Sequence, residues 1–217
     1  MNNSEYKIED NYLEEEDFAR LKDLISPEAN LNIRHRWSNV WNYVQETVDK
    51  NIVESFPHIK SPSLFNEVTE IEVADPIVAG IFSHIFLWAE ERSQYLPLLE
   101  PLLAKIDPIV FYRIQANLTQ GQRKKMRSDF HIDCPLPLKK TTPLVTSIFY
   151  MNTTNGPTIL EDGTEIECRA NRLVSFPFGT YHSGVLCTNQ PYRFVINFNY
   201  FKEMEMKEHD ETKKNKR

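Results

Sequence analysis

The hydrophobic period changes part-way along the chain, and that change restricts the fold more than any other feature. As far as about Ile106 the apolar residues recur at helical spacing. A short strand over Tyr6 to Ile8 is followed by the acidic run Glu14 to Glu16. Asn11 or that run opens a helix carrying Phe18, Leu21, Leu24 and Ile25, with Pro27 as its limit. Trp37, Val40, Trp41, Val44 and Val48 make a second stripe. Asp75 and Pro76 suit the N-cap and first position of a third helix bearing Ile77, Val78, Ile81, Phe82, Ile85 and Phe86, with His84 a packed residue within it. Pro97 and Pro101 segment the leucine-rich stretch that ends near Ile106.

From Ile109 the period is two. Tyr112, Ile114, Ala116 and Leu118 share one face of a strand, and Arg113, Gln115 and Asn117 share the other. Further strands are expected over 144–152, 158–160, 165–168, 172–176 and 192–201, separated by the turn signals Asn155-Gly156, Asp162-Gly163 and Phe178-Gly179. Five of the six glycines lie from Gly121 onward, where these turns fall. Short strands joined by tight turns predict a sandwich or barrel of the jelly-roll kind. The expected architecture is α+β: a single domain over 1–201, with a mainly helical layer (1–106) packed on one sheet of a jelly-roll core (107–201). A charged tail over 202–217 is expected to be disordered.

The formal net charge is -6, which argues against capture of a nucleic-acid backbone. Three cysteines without CxxC spacing indicate neither a disulfide framework nor a thiolate zinc site. The N-terminus lacks a basic and then apolar leader, and no stretch has the apolar length of a membrane span, so a cytoplasmic protein is expected.

One constellation carries chemistry. His131 and Asp133 stand at i and i+2 in Phe130-His131-Ile132-Asp133, so an extended backbone projects imidazole and carboxylate to the same side. His182 follows a strand and a Pro-Phe-Gly turn, and Arg193 opens the last strand. Two histidines and a carboxylate are the donor set of a facial triad for non-haem Fe(II). In the last strand Arg193, Val195, Asn197 and Asn199 share one face, while Phe194, Ile196, Phe198 and Tyr200 share the other. If the aromatic face packs on helices, Arg193 points inward and needs an anion, which a dicarboxylate would supply. Arg113, Gln115 and Asn117 then face the site rather than solvent.

The stretch from about Val110 to Phe201 resembles the Fe(II)- and 2-oxoglutarate-dependent dioxygenases, in particular their prolyl-4-hydroxylase-like branch. The likeness is carried by FHID (130–133), TSIFYMN (146–152), NRLVSF (171–176), His182 and YRFVINF (192–198). It implies a double-stranded β-helix in which His131, Asp133 and His182 hold the iron. Arg193 would pair with the distal carboxylate of 2-oxoglutarate, with Tyr150 and, on the preceding strand, Asn117 as further cosubstrate contacts. The implied reaction converts 2-oxoglutarate to succinate and CO2 while hydroxylating an aliphatic carbon, with ascorbate as an accessory reductant. The prime substrate would be a protein side chain such as proline, or a small molecule. Rival readings are a non-catalytic cupin-like ligand-binding module, a hydroxylase of a free amino acid or other metabolite, and a nucleobase dealkylase. The last carries a second arginine six residues after the first, where this chain has Asn199. The basic segment 120–129, with Arg123, Lys124, Lys125 and Arg127, reads as a solvated loop or a lid over the site.

Overall fold

The computed structural model describes residues 6–27, 42–44, 65–75, 80–133 and 143–202. Helix α1 (Glu15–Ile25) begins with Glu15, Glu16 and Asp17 in its first turn, where carboxylates favour the positive end of the helix dipole. It stops at Ser26, because the residue before a proline is pushed out of the helical region. A 3-10 turn (Leu96–Leu99) runs into the second helix, α2 (Glu100–Ile106), as the proline punctuation predicts. Trp37, Val40, Trp41 and Val48 of the second stripe, His35, His58, Cys134 and the tail beyond Lys202 lie outside the described residues, and so does most of the first turn expected after Asp75; Val44 is described, at the end of a short strand (Asn42–Val44) and not in a helix.

The described strands form two antiparallel sheets. The major one contains β1 (Lys7–Glu9), β9 (Arg172–Pro177), β6 (Leu144–Tyr150), β11 (Tyr192–Phe201), β5 (Val110–Gln120), β3 (Ile81–Trp88) and β2 (Asn42–Val44) in that order, with β4 (Glu91–Arg92) paired to β3. The minor sheet runs β10 (His182–Gly184), β7 (Thr158–Leu160), β8 (Glu165–Ile166).

Residues 81–88 are a strand, contrary to the helix expected there. Pairing with β5 slips between Ile85 and Leu87, and the bulge turns both Phe86 and Leu87 into the core. Two adjacent buried apolar residues imitate the i, i+1 spacing of a helix stripe, which is why the pattern reads as helical. His84 is buried as expected, but on this strand, with Nε2 3.0 Å from the Ser93 hydroxyl. Arg127 also departs from expectation. Its side chain is fully buried over the Phe130 ring and donates to the carbonyls of Ile71 and Ser128 and to Asn66 Oδ1. The segment 65–75 is thereby fastened to the strand that leads into the site.

β11 divides the molecule as its alternation predicts. Phe194, Ile196, Phe198 and Tyr200 join Leu21, Ile25, Leu102 and Ile106 of the two helices in the largest apolar cluster. Burying one such aromatic side chain is worth about 1.5–3 kcal/mol. The opposite face of β11 looks toward the minor sheet. Register brings four rows together on that inner face: Ile81, Thr119 and Arg193; Ser83, Asn117, Val195 and Tyr150; Ile85, Gln115, Asn197 and Ile148; Trp88, Arg113, Asn199 and Thr146.

Candidate active site

His131 and His182 face each other across an isolated antiparallel bridge, each backbone N–H donating to the other's carbonyl at 3.0 Å. Ser128 extends this pairing, since its backbone N–H donates to the Gly184 carbonyl and its carbonyl accepts from the Ser183 hydroxyl. The bridge sets the two imidazole rings 4.8 Å apart, centroid to centroid. Each ring uses Nδ1 in the same way: His131 Nδ1 lies 2.8 Å from the Asp129 carbonyl and His182 Nδ1 lies 3.2 Å from that of Thr180. A carbonyl only accepts, so Nδ1 carries the proton and Nε2 keeps its lone pair, the arrangement a metal-binding imidazole requires.

Asp133 closes the set from the side of the major sheet. Asn197 Nδ2 donates to its Oδ1 at 3.0 Å and Asn199 Nδ2 to its Oδ2 at 3.3 Å. A carboxylate cannot donate, which fixes the amide orientation of both asparagines. Arg113 NH1 lies 3.6 Å from Oδ1, an ion pair longer than a hydrogen bond. The donor atoms of His131, Asp133 and His182 all lie within 4.8 Å of one another. His182 Nε2 is buried with no hydrogen-bond partner and stands 3.7 Å from Asp133 Oδ1. A buried imidazole nitrogen without a partner, facing a carboxylate and a second imidazole, fits a divalent metal.

The electrostatics suit the same purpose. Burial, reinforced by His182, pushes the pKa of His131 down to about 4 against the smaller opposing pull of Asp133, so the ring is neutral near pH 7. Burial pushes the Asp133 carboxyl the other way, but the contacts with His182 and Arg113 outweigh it and hold the group below the ordinary carboxylate range. His131 and Asp133 are therefore in the ligating protonation state before any metal arrives.

Beside the triad lies a cavity with about 540 Å³ of space, part of it open to solvent, lined by Asn117, Thr119, Thr158, Arg193, Val195 and Asn197 among others. Arg193 is held at its floor. Nε donates to the Gly156 carbonyl at 2.9 Å, NH2 to Thr158 Oγ1 at 2.8 Å, and the guanidinium lies over the Tyr150 ring at 5.5 Å. Among the described residues no carboxylate pairs with it. Asn117 lines the cavity, with Oδ1 accepting from Gln115 Nε2 at 2.7 Å. The Tyr150 hydroxyl stands one residue further back than the sequence suggests. It donates to Thr158 Oγ1 at 2.8 Å, so Thr158 is the group that faces the cavity. Thr158 and Thr119 were not legible as site residues, since a lone hydroxyl in a short strand carries no spacing signal.

No protein-family profile matches the sequence, and no curated protein does. Solved structures do. A prolyl hydroxylase from Trichoplax adhaerens, in complex with a peptide fragment of the hypoxia inducible factor oxygen degradation domain, aligns over 93% of this chain and 85% of its own, with TM-score 0.54 and 15% identity. This chain has the prolyl hydroxylase fold. A Pseudomonas putida prolyl-4-hydroxylase aligns over 93% and 94% at TM-score 0.49 and 14% identity, and a non-heme alpha ketoglutarate dependent carbocyclase of nogalamycin biosynthesis over 83% and 85% at 0.46 and 16%. The likeness at TM-score 0.54 bears out the jelly-roll architecture expected from the turn and strand pattern, and the described helices of this chain pack on the outer face of the major sheet.

Proposed function

We propose that the protein is an Fe(II)- and 2-oxoglutarate-dependent dioxygenase that hydroxylates an aliphatic carbon of a protein side chain or of a small molecule. The observation that carries this reading is the unpartnered, buried Nε2 of His182 facing His131 and Asp133. His131, Asp133 and His182 would hold the iron, and a facial triad leaves the remaining positions for cosubstrate and O2. The bound iron and 2-oxoglutarate would supply the oxidant, with succinate and CO2 as the coproducts of oxidative decarboxylation.

The chain's own part is to orient and to enclose. Arg193 receives the distal carboxylate of the cosubstrate, and the Gly156 carbonyl and Thr158 hydroxyl fix its guanidinium in one orientation. Tyr150 acts through Thr158, holding that hydroxyl in the rotamer that accepts from Arg193. Asn197 and Asn199 hold the Asp133 carboxylate, while the Asp129 and Thr180 carbonyls hold the two rings. Ile148, Val195, Val185 and Leu186 give the cavity apolar walls that limit water near the reacting centre. A reducing compartment suits both Fe(II) and the free, buried Cys168 and Cys187. Among the described residues no helix is long and apolar enough to cross a membrane.

Anaerobic titration should load one Fe(II), and the loaded protein should turn 2-oxoglutarate over to succinate in air without a prime substrate, with ascorbate keeping the iron reduced. Metal binding without turnover would instead identify a ligand-binding module. A blank in both assays for folded protein would overturn the proposal.

A further inference from the structure

Arg113 carries a charge that the described residues balance only in part. Its side chain is 9% exposed. NH1 donates to Asn199 Oδ1 at 3.2 Å and NH2 to Gln115 Oε1, while Nε is buried with no hydrogen-bond partner. The one carboxylate within ion-pair reach among the described residues is Asp133. On the function proposed above, that carboxylate is shared with a divalent metal.

Arg113, Arg193 and a divalent metal bring four positive charges to the inner face of the major sheet. Asp133 and a bound dicarboxylate bring three negative ones, while a histidine that ligates through Nε2 with Nδ1 donating to a carbonyl is neutral. Among the described residues the acidic or basic side chains that line the cavity are His131, His182 and Arg193. One positive charge is left over in a region shielded from water, and it lies at the Arg113 end, since the cosubstrate carboxylate belongs to Arg193. Uncompensated charge in such a place is costly unless a partner of opposite sign arrives.

The surroundings of Arg113 indicate the shape of that partner. Its guanidinium is 5.7 Å from the centroid of the Trp88 ring. Trp88 is paired with Arg113 and Ile85 with Gln115 on the same sheet face, and these two apolar side chains are 39% and 44% exposed. An unpartnered guanidinium nitrogen therefore adjoins solvent-facing apolar surface. We propose that the prime substrate bears a carboxylate received by Arg113, with its aliphatic body against Trp88 and Ile85. This rests on the proposed function, because the metal and cosubstrate enter the charge count.

The test uses the full chain loaded with Zn(II), which does not react with O2, and saturated with 2-oxoglutarate. Two matched pairs of probes are titrated by protein-detected NMR. N-acetyl-L-leucine against N-acetyl-L-leucinamide presents a free terminal carboxylate, and the α-amides of N-acetyl-L-glutamate and N-acetyl-L-glutamine present an acidic side chain as a peptide would. At least one acid should bind about tenfold more tightly than its amide, the margin of one charge-assisted buried hydrogen bond. The binding should move the Trp88 indole resonance, assigned with Trp88→Phe. Arg113→Gln should abolish the preference and Arg113→Lys should keep part of it. Which pair discriminates tells a small acid from an acidic side chain. If neither acid outbinds its amide, or if the preferred acid leaves Trp88 unmoved, the inference is wrong while the oxygenase reading stands. If Zn(II) and 2-oxoglutarate fail to bind, both fall. Should Arg113→Gln lose zinc, the wild-type acid-to-amide ratio and the Trp88 resonance decide alone.

Discussion

His131 and His182 commit Nδ1 to backbone carbonyls two residues earlier in the chain, a local device that any extended segment with a following turn can build. The triad is legible in the sequence from the His131-x-Asp133 spacing taken together with His182 and Arg193, whereas the groups that tune it are not. Thr158 belongs to this second group, and it joins Tyr150 to Arg193. Thr158→Val should leave Fe(II) affinity nearly unchanged and raise the KM for 2-oxoglutarate about tenfold, since it strands a buried arginine N–H. Steady-state kinetics beside anaerobic iron titration separates the two effects, and equal losses in both would show that the threonine merely supports the fold. The depressed pKa of His131 has a consequence for the metal-free protein. The folded protein takes up this proton near pH 4 and the unfolded chain near pH 6.5, so between those values the unfolded state binds more protons. Stability is therefore full above about pH 6.5 and falls as the pH is lowered toward 4. Asp133, held below the normal range, contributes its loss only at still lower pH. At pH 5 the apoprotein should have lost on the order of 2 kcal/mol through His131. Thermal melts at pH 7 and pH 5 should show this as a lower Tm, and His131→Gln should flatten the dependence.

At the scale of elements, β11 was the most legible part of the chain, because the alternation from Arg193 to Tyr200 separates a large apolar face from a face carrying Arg193, Asn197 and Asn199. β3 was not. Its bulge places Phe86 and Leu87 on the core side together, and a pattern rule that assumes regular pleating reads the pair as helix. The roles of Asn197 and Asn199 were likewise hidden, since which inward amide meets Asp133 depends on pairing with strands far away in sequence. Phe198→Ala should cost about 3–5 kcal/mol, as expected for an aromatic side chain removed from a close-packed cluster. Gly156 links the turn chemistry to the site. A Cβ there would sit 2.3 Å from the Val185 carbonyl oxygen, so the backbone must shift, and the Gly156 carbonyl is the acceptor for Arg193 Nε. Gly156→Ala should weaken 2-oxoglutarate binding more than iron binding. A variant that loses iron as readily would place the strain at the triad instead.

The three proposed metal ligands tie the two described sheets together. His182 lies on β10 of the minor sheet and His131 is bridged to it, while Asp133 is held by Asn197 and Asn199 of β11 in the major sheet. β10, only three residues long, pairs with β7 on one side and with the isolated His131 bridge on the other. Such an element has few hydrogen bonds to hold it, so local opening of the 127–133 and 182–184 segments should occur at lower free energy than opening of β5, β6 and β11. On the proposed function a divalent metal would bind the closed arrangement and not the open one, and ligand bound at a thousandfold its Kd adds about 4 kcal/mol to the stability of the state that holds it. Hydrogen exchange on the apoprotein should therefore find the amides of His131 and His182 exchanging much faster than those of Phe149 or Ile196, although all four are in ladders or bridges. Saturating Mn(II) should slow the first pair strongly and the second pair little, and a chelator should reverse the change. Adding 2-oxoglutarate should then protect Thr158 and Arg193, the residues proposed to hold the cosubstrate's far end. Arg193→Ala should keep the metal-induced protection and lose the cosubstrate-induced one. Uniform slowing across the major sheet on metal addition would mean that the triad stabilises the whole domain as one cooperative unit rather than joining two sheets of unequal stability.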